Sequence, residues 1–351
     1  MHILWMCWRD NDSVIRPFGL NDIWLVRRLQ RSGMTLAVEH MLTHPHGPLW
    51  TALLAPWPWT GVGVATFVLD ESANGQRLHG FAQLMKRADR SEADLLHVAP
   101  ALMSEITSDR SSEAIWSRLL NHCSLAAATH GLQRIYASVP QGCSEQTSLS
   151  QAGFCVYTRE TIYRLAALPA AAEPAPGIRL QHPRDNWSLQ RLYLRGTPRL
   201  VQQAEGALST EAGSPMLSWW EPNDWQGLVW EPAGEVRGAV QLHRGRAGHW
   251  LRVLGAGELA AREVRVLIEQ GLRHLSGAQP SRDRRDAPVY ATVRDYDIHL
   301  GGALIGFGFA PFMERARMVK HTVGRVTESL PATHPVREMA RELPVRSQGP
   351  R

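Results

Sequence analysis

The chain has 351 residues, 44% of them hydrophobic and 20% charged, with a formal net charge of +5. That length suits two domains of roughly 150 residues, each able to bury a core, and no apolar run approaches the roughly 18 residues of a membrane span. Lys and Arg are scattered, and their one concentration, Arg282-Asp-Arg-Arg-Asp286, is interrupted by acids, so the basic balance does not point to nucleic acid. Cys7, Cys123, Cys143 and Cys155 show no Cys-x-x-Cys spacing, which argues against a zinc site and a disulfide framework.

Residues 1–12 begin apolar and turn charged, without a basic leader or a small-residue cleavage site. They read as an extension outside the fold, and a cytoplasmic address is expected. Ser13 to Phe18 predicts a strand, and the apolar spacing of Ile23, Trp24, Val26 and Leu29 predicts a helix over 21–31. Residues 43–62, rich in Pro and Trp, predict a loop or an irregular helix pair, in which His44-Pro-His46 has no partner cluster for a metal. Strands are predicted at 63–69 and 78–86, joined through Asn74-Gly75, a hairpin signal, and at 93–100. A helix over 111–130 stops at Gly131; a strand follows at 132–139, a short helix at 144–152 and a strand at 154–165.

Residues 166–177, Ala-Ala-Leu-Pro-Ala-Ala-Ala-Glu-Pro-Ala-Pro-Gly, read as a semi-stiff linker. The pattern then restarts. Ile15-Arg16 matches Ile178-Arg179, Asp22-Ile-Trp24 matches Asp185-Asn-Trp187, and Arg28-Leu29 matches Arg191-Leu192. Further on, Gly80-Phe-Ala-Gln-Leu84 matches Gly238-Ala-Val-Gln-Leu242, Leu96-His-Val98 matches Leu251-Arg-Val253, and Gly153-Phe154 matches Gly308-Phe309. Matches that keep their order indicate a duplication. In the second copy, strands are predicted near 178–182, 226–231, 235–244, 248–254, 288–294 and 309–320, and helices near 185–205, 261–275 and 299–306. The tail from Thr327 to Arg351, Pro-rich and charged, is expected to be disordered.

Each half thus reads strand, helix, three-strand meander, helix, strand, short helix, strand. With Leu-x-Val ending the meander and Gly-Phe opening the last strand, this order resembles the GCN5-related N-acetyltransferase (GNAT) family. The expected architecture is α/β, a mixed sheet in two tandem acyl-CoA N-acyltransferase-like domains at 13–165 and 178–326. The resemblance implies a sheet that splays between its fourth and fifth strands, with acetyl-CoA in the gap and its pyrophosphate on the next helix N-terminus. Unpaired N–H groups and the positive end of a helix dipole suit such an anion. Carried onto this chain, the implied cofactor positions are His97, Val98, Ser111, Ser112 and Ala114 in the first half. In the second they are Arg252, Val253, Gly255, Gly257, Ala261 and Arg262.

The chain departs from that family at two places. The Arg/Gln-x-x-Gly-x-Gly/Ala run that starts the helix is replaced by Ser111-Ser-Glu-Ala-Ile-Trp116 and by Leu259-Ala-Ala-Arg-Glu-Val264, so the glycines that let backbone approach phosphate are gone. The loop after Pro100 is also longer than the family's, whereas its second-half counterpart is of near-normal length. The family's Tyr before Gly-Phe, which protonates the leaving thiolate, is replaced by Leu149 and Leu304. Tyr136 and Tyr296 are the candidate acids in its stead, and His97 and His249, on the fourth strands, are further candidates. No metal is expected. The expected activity is acetyl transfer from acetyl-CoA to an amine of a small molecule or peptide. The alternatives are a GNAT-fold scaffold without activity, or a chain in which only the C-terminal domain is active.

Overall fold

The computed structural model describes residues 15–43, 47–54, 63–73, 76–87, 90–102, 110–169, 173–206, 225–277 and 287–322. The readings of 1–12, His44–His46, Asn74-Gly75, Arg282–Asp286 and the tail from Thr327 lie outside those residues.

Each half opens on the same local knot. Arg16 donates to Asp22 at 2.6 Å, and Asp22 also accepts the Gly19 N–H at 2.8 Å. In the second half Arg179 donates to Asp185 at 2.7 Å, and Asp185 accepts the His182 N–H at 2.7 Å. A carboxylate that ties a strand to a helix start at matching places in both halves supports the duplication read from the sequence.

From this knot the first half runs β1 (Ile15–Pro17), α1 (Ile23–Leu29), β2 (Met34–Thr35), α2 (Val38–Thr43), α3 (Pro48–Leu54), β3 (Val64–Ala73), β4 (Gln76–Lys86), β5 (Glu92–Ala99), α4 (Arg110–Thr129), β6 (Arg134–Pro140), α5 (Ser144–Gln151) and β7 (Cys155–Leu165). The second runs β8 (Ile178–Leu180), α6 (Asn186–Gly196), α7 (Arg199–Ala204), β9 (Trp225–Trp230), β10 (Gly238–Arg244), β11 (His249–Leu254), α8 (Ala261–Gly277), β12 (Val289–Arg294), α9 (Ile298–Ile305) and β13 (Ala310–His321). The sequence reading missed β2 and α2. It also ran one helix over 185–205, where the chain breaks between α6 and α7 at Pro198, the residue that starts α7.

In α4, Ile115, Trp116, Leu119, Leu120, Cys123 and Ala127 repeat at helical spacing and pack on the first half's sheet. In α8, Val264, Leu267, Ile268, Leu272 and Leu275 do the same in the second. Each fully buried large aliphatic side chain contributes about 1.5–3 kcal/mol.

All thirteen strands join one sheet, in the order β1-β3-β4-β5-β6-β13-β7-β12-β11-β10-β9-β8, with β2 paired to β5. The halves exchange their last strands: β13 lies between β6 and β7, and β7 lies against β12. Ala316 and Met318 of β13 therefore belong to the first core, while Tyr163 and Leu165 of β7 pack on the second. The two halves thus share one continuous mixed sheet. The linker at 166–177 joins halves that complete each other's cores.

Candidate functional site

Both parallel strand pairs at the centre of the halves part after three residues. β5 and β6 pair from Glu92↔Arg134 to Asp94↔Tyr136, and β11 and β12 pair from His249↔Val289 to Leu251↔Ala291. Beyond those points each half has a wedge-shaped opening, and the two openings differ.

In the first half the opening is filled by the chain itself. Met34 and Thr35 pair with Val98 and His97. The Leu36 N–H donates to the Leu96 carbonyl at 2.8 Å, and the Leu36 carbonyl accepts the Ser138 N–H at 2.8 Å. Backbone groups of β5 that could pair with an entering molecule are thus met internally. In α4 the buried Trp116 indole donates to the Pro100 carbonyl at 2.6 Å, which ties the helix to the end of β5.

In the second half the corresponding connection turns away. The helix α6 has 11 residues against the seven of α1. Pro198 lacks an N–H donor for a ladder, and the Gln202 side chain donates to the carbonyls of Leu194 and Thr197 at 2.8 and 2.6 Å. The connection is clamped to α6, and a narrow solvent-open cleft of about 40 Å³ remains. Arg252 to Gly257 form one wall, Thr292, Arg294, Tyr296 and Asp297 another, and Tyr193 and Thr197 cover it. Glu39 and Glu160, from the first half, close the remaining side. Gly255 ends β11 at φ +81°, a left-handed turn that directs Ala256 and Gly257 into the wall.

Charged groups crowd the floor of this cleft. Arg294 pairs with Glu205 at 2.6 Å and donates to the Tyr296 hydroxyl at 2.9 Å. Tyr193 donates to Glu205 at 2.7 Å. Burial alone would raise the Glu205 carboxyl, but Arg294 and the Tyr193 hydroxyl overcome it and hold the group at about 2. Burial raises the Tyr296 hydroxyl, with Arg294 opposing, so this phenol stays protonated at neutral pH. Arg317 is shared between Glu39 at 3.1 Å and Glu160 at 3.4 Å.

Of the residues singled out in the sequence, Arg252, Val253, Gly255, Gly257 and Tyr296 come together in this cleft. Ala261 and Arg262 lie exposed on the first turn of α8, where the Ala260 N–H is already taken by the Glu263 carboxylate at 2.9 Å. Val98 is buried beneath Met34, Ser112 is buried, Ser111 is half-buried, and Ala114 is exposed on α4, away from the cleft.

Three of the four candidate catalytic residues lie elsewhere. His97 stacks on Phe81 at 5.2 Å and lines a separate cavity with Met41 and Gln83; burial lowers its pKa to about 4. His249 is fully buried at the start of β11. Tyr136 donates to the Ala204 carbonyl at 2.9 Å beneath the Arg87 guanidinium. Sequence reasoning missed Glu39, Glu160, Glu205, Thr292 and Arg294. The available signal was polar residues at inward positions of otherwise apolar strands, Thr158-x-Glu160-x-Ile162 and Thr292-x-Arg294. Among the described residues no group of three or more His, Cys, Asp or Glu is placed to hold a metal, and no helix is long and apolar enough to cross a membrane.

No protein-family model and no curated protein matches the chain. Solved structures to which it is similar include a tandem GNAT protein from the clavulanic acid biosynthesis pathway, determined without AcCoA. That protein is 14% identical, over 88% of this chain and 98% of the other, with a TM-score of 0.48. A GCN5-related N-acetyltransferase from Sphaerobacter thermophilus is 13% identical, over 88% and 96%, with a TM-score of 0.49. A GNAT-family acetyltransferase from Colwellia psychrerythraea is 11% identical, over 88% and 99%, with a TM-score of 0.39. These are likenesses of fold alone, and they carry no residue role and no substrate to this chain.

Proposed function

We propose that the chain is an acyl-CoA-dependent N-acyltransferase with one active centre, in the second half, and that the first half has kept the fold without a donor site. The observation that carries this reading is the contrast between the openings: Arg252 to Leu254 border an empty cleft, whereas His97 and Val98 are paired with Thr35 and Met34. An extended pantetheine arm would pair with the backbone of β11 beyond Leu251, where β12 has turned away.

In the proposed reaction the acceptor amine, neutral once its ammonium form has lost a proton to solvent, attacks the thioester carbonyl. A C–N bond forms and the C–S bond breaks; nitrogen loses one proton and sulfur gains one. Tyr296 is the group we assign to protonate sulfur, and the proton released from nitrogen restores it through solvent. Its hydroxyl accepts from Arg294, which leaves its own proton free to donate outward. Holding amine and thioester in one cleft supplies the orientation such a step needs.

A scaffold without activity has one observation in its favour, the capping of the α8 start by Glu263. A carboxylate there competes with a pyrophosphate for the same N–H groups. Calorimetry with acetyl-CoA separates the two readings. The Gly257 Cα faces open space, so Gly257→Trp fills the cleft without displacing the core. The transferase reading predicts one equivalent bound, abolished by Gly257→Trp and unchanged by Ala114→Trp on α4. Absence of binding to the wild-type chain at millimolar acetyl-CoA contradicts it.

A further inference from the structure

Glu160 lies on β7, a strand of the first half, yet the exchange of last strands sets it opposite Arg294 of β12 and among the cleft-lining residues. Its side chain is 1% exposed. Oε1 faces Arg317 at 3.4 Å, while Oε2 has no hydrogen-bond partner among the described residues. On the neighbouring strand Thr292 also lines the cleft, and its buried Oγ1 is likewise without a partner.

Three of the cations around them are already paired, and a fourth, Arg252, stands half-exposed on the cleft wall. Arg294 is held by Glu205 and Tyr296. Arg315 donates to Ser138 and to the Thr35 carbonyl. Arg317 divides its donors among Glu39, Glu160 and the Tyr157 hydroxyl. What the floor of the cleft lacks is therefore a hydrogen-bond donor, and the unmet acceptor belongs to a carboxylate. A buried polar atom without a partner is rare in folded proteins and calls for an explanation, and an unmet charged one is costlier still.

We infer that Glu160 and Thr292 hold the ammonium group of the acceptor, so that the first half supplies the acceptor pocket of the second. The class this selects is a primary alkylammonium, whose three N–H groups and positive charge fit a carboxylate oxygen and a hydroxyl. A neutral alcohol lacks the charge, and a carboxylate set against Oε2 meets the like charge of Glu160. The inference builds on the proposed transferase reading but concerns a different ligand, and the two fail separately.

The test is calorimetric titration of the full chain with n-butylammonium, n-butanol and n-butyrate, with acetyl-CoA titrated in parallel. The cation alone is expected to bind, and Glu160→Gln is expected to weaken it at least about tenfold, the loss for a hydrogen bond to a charged group. Thr292→Val weakens it less. If wild type prefers n-butanol or takes no cation, or if Glu160→Gln binds n-butylammonium as tightly, the inference is overturned, and Oε2 meets water only. The comparison of cation with alcohol uses wild type alone, so it decides the matter even where a variant fails to fold. Cation binding without acetyl-CoA binding would keep the ammonium site and remove the transferase reading; the reverse result would do the opposite.

Discussion

At matching places in the repeat, Leu96-His-Val98 and Leu251-Arg-Val253, the two halves put opposite chemistry. His97 packs against Thr35 beside a separate cavity of about 270 Å³ and is a buried neutral ring, with its pKa lowered to about 4 by desolvation. Arg252 is half-exposed and faces an open cleft. One strand has been converted into core, and the other still presents a charge to whatever enters. The difference arises in the connection before it. Seven helical residues followed by a two-residue strand close the first opening, whereas a longer α6, Pro198 and the Gln202 clamp leave the second one free. Under the proposed reading, the half without a donor site still contributes walls and a strand to the cleft.

The largest effect expected is on the reaction. Tyr296→Phe should lower kcat about a hundredfold or more with little change in acetyl-CoA affinity, the usual scale for a lost proton donor. Thiol release measured against an amine panel checks it, and Gln141→Ala, after β6 in the first half, should have no effect.

Next comes stability. Both halves bury an ion pair near their opening, Arg87 with Asp94 at 2.8 Å and Arg294 with Glu205 at 2.6 Å. Removing Glu205 strands the buried Arg294 charge, so Glu205→Ala should cost about 3–5 kcal/mol in urea denaturation, and Asp94→Ala less, because Arg87 keeps Glu92 at 3.1 Å. Only Glu205→Ala should also weaken acetyl-CoA binding, and equal weakening by both would erase the distinction between the openings.

His97 makes the contrast visible in pH. Its folded pKa of about 4 lies below the unfolded 6.5, so its contribution is fully present above pH 6.5 and is lost as pH falls through about 4. Over that window wild type should lose about 3 kcal/mol that His97→Gln does not, at about 1.4 kcal/mol per pH unit. Gln141→Ala, at an exposed position, should leave the slope unchanged.

The smallest effect addresses what the halves still share. A Cβ on Gly80 would meet the Ala99 carbonyl at 2.9 Å, and one on Gly238 would meet Leu259 and Leu267 at 2.7 and 2.8 Å. Both glycines sit where a helix or strand end crosses the meander. Gly80→Ala and Gly238→Ala should each destabilise by about 1–3 kcal/mol through overpacking. A large gap between the two values would mean that the cores have diverged as far as the openings.

Much of the fold was legible because it is written in periodicity. The spacing of Leu119, Leu120 and Cys123, and of Leu267, Ile268 and Leu272, fixed α4 and α8, and the ordered matches exposed the repeat. The exchange of β7 and β13 was not legible. Either partner offers these strands the same apolar alternation, and the choice is made by tertiary contacts. Nor was β2, a two-residue strand whose pairing depends on where β5 and β6 part. On the cleft, the motif positions Arg252 to Gly257 and Tyr296 were reachable through the repeat and the family resemblance. Glu39 and Glu160 were not, since they reach the cleft from the other half and no local pattern connects them to it.

The central claim is that one opening admits a thioester donor and the other is filled by the protein's own chain. Hydrogen–deuterium exchange with and without acetyl-CoA tests it at the amides concerned. New protection is predicted at Arg252 to Gly257, with the amides of Leu36 and Ser138 already protected in the free protein and unaltered by ligand. Ligand-induced protection along His97 to Ala99 with exposure of Met34 to Leu36, or no change at Arg252 to Gly257, would contradict it.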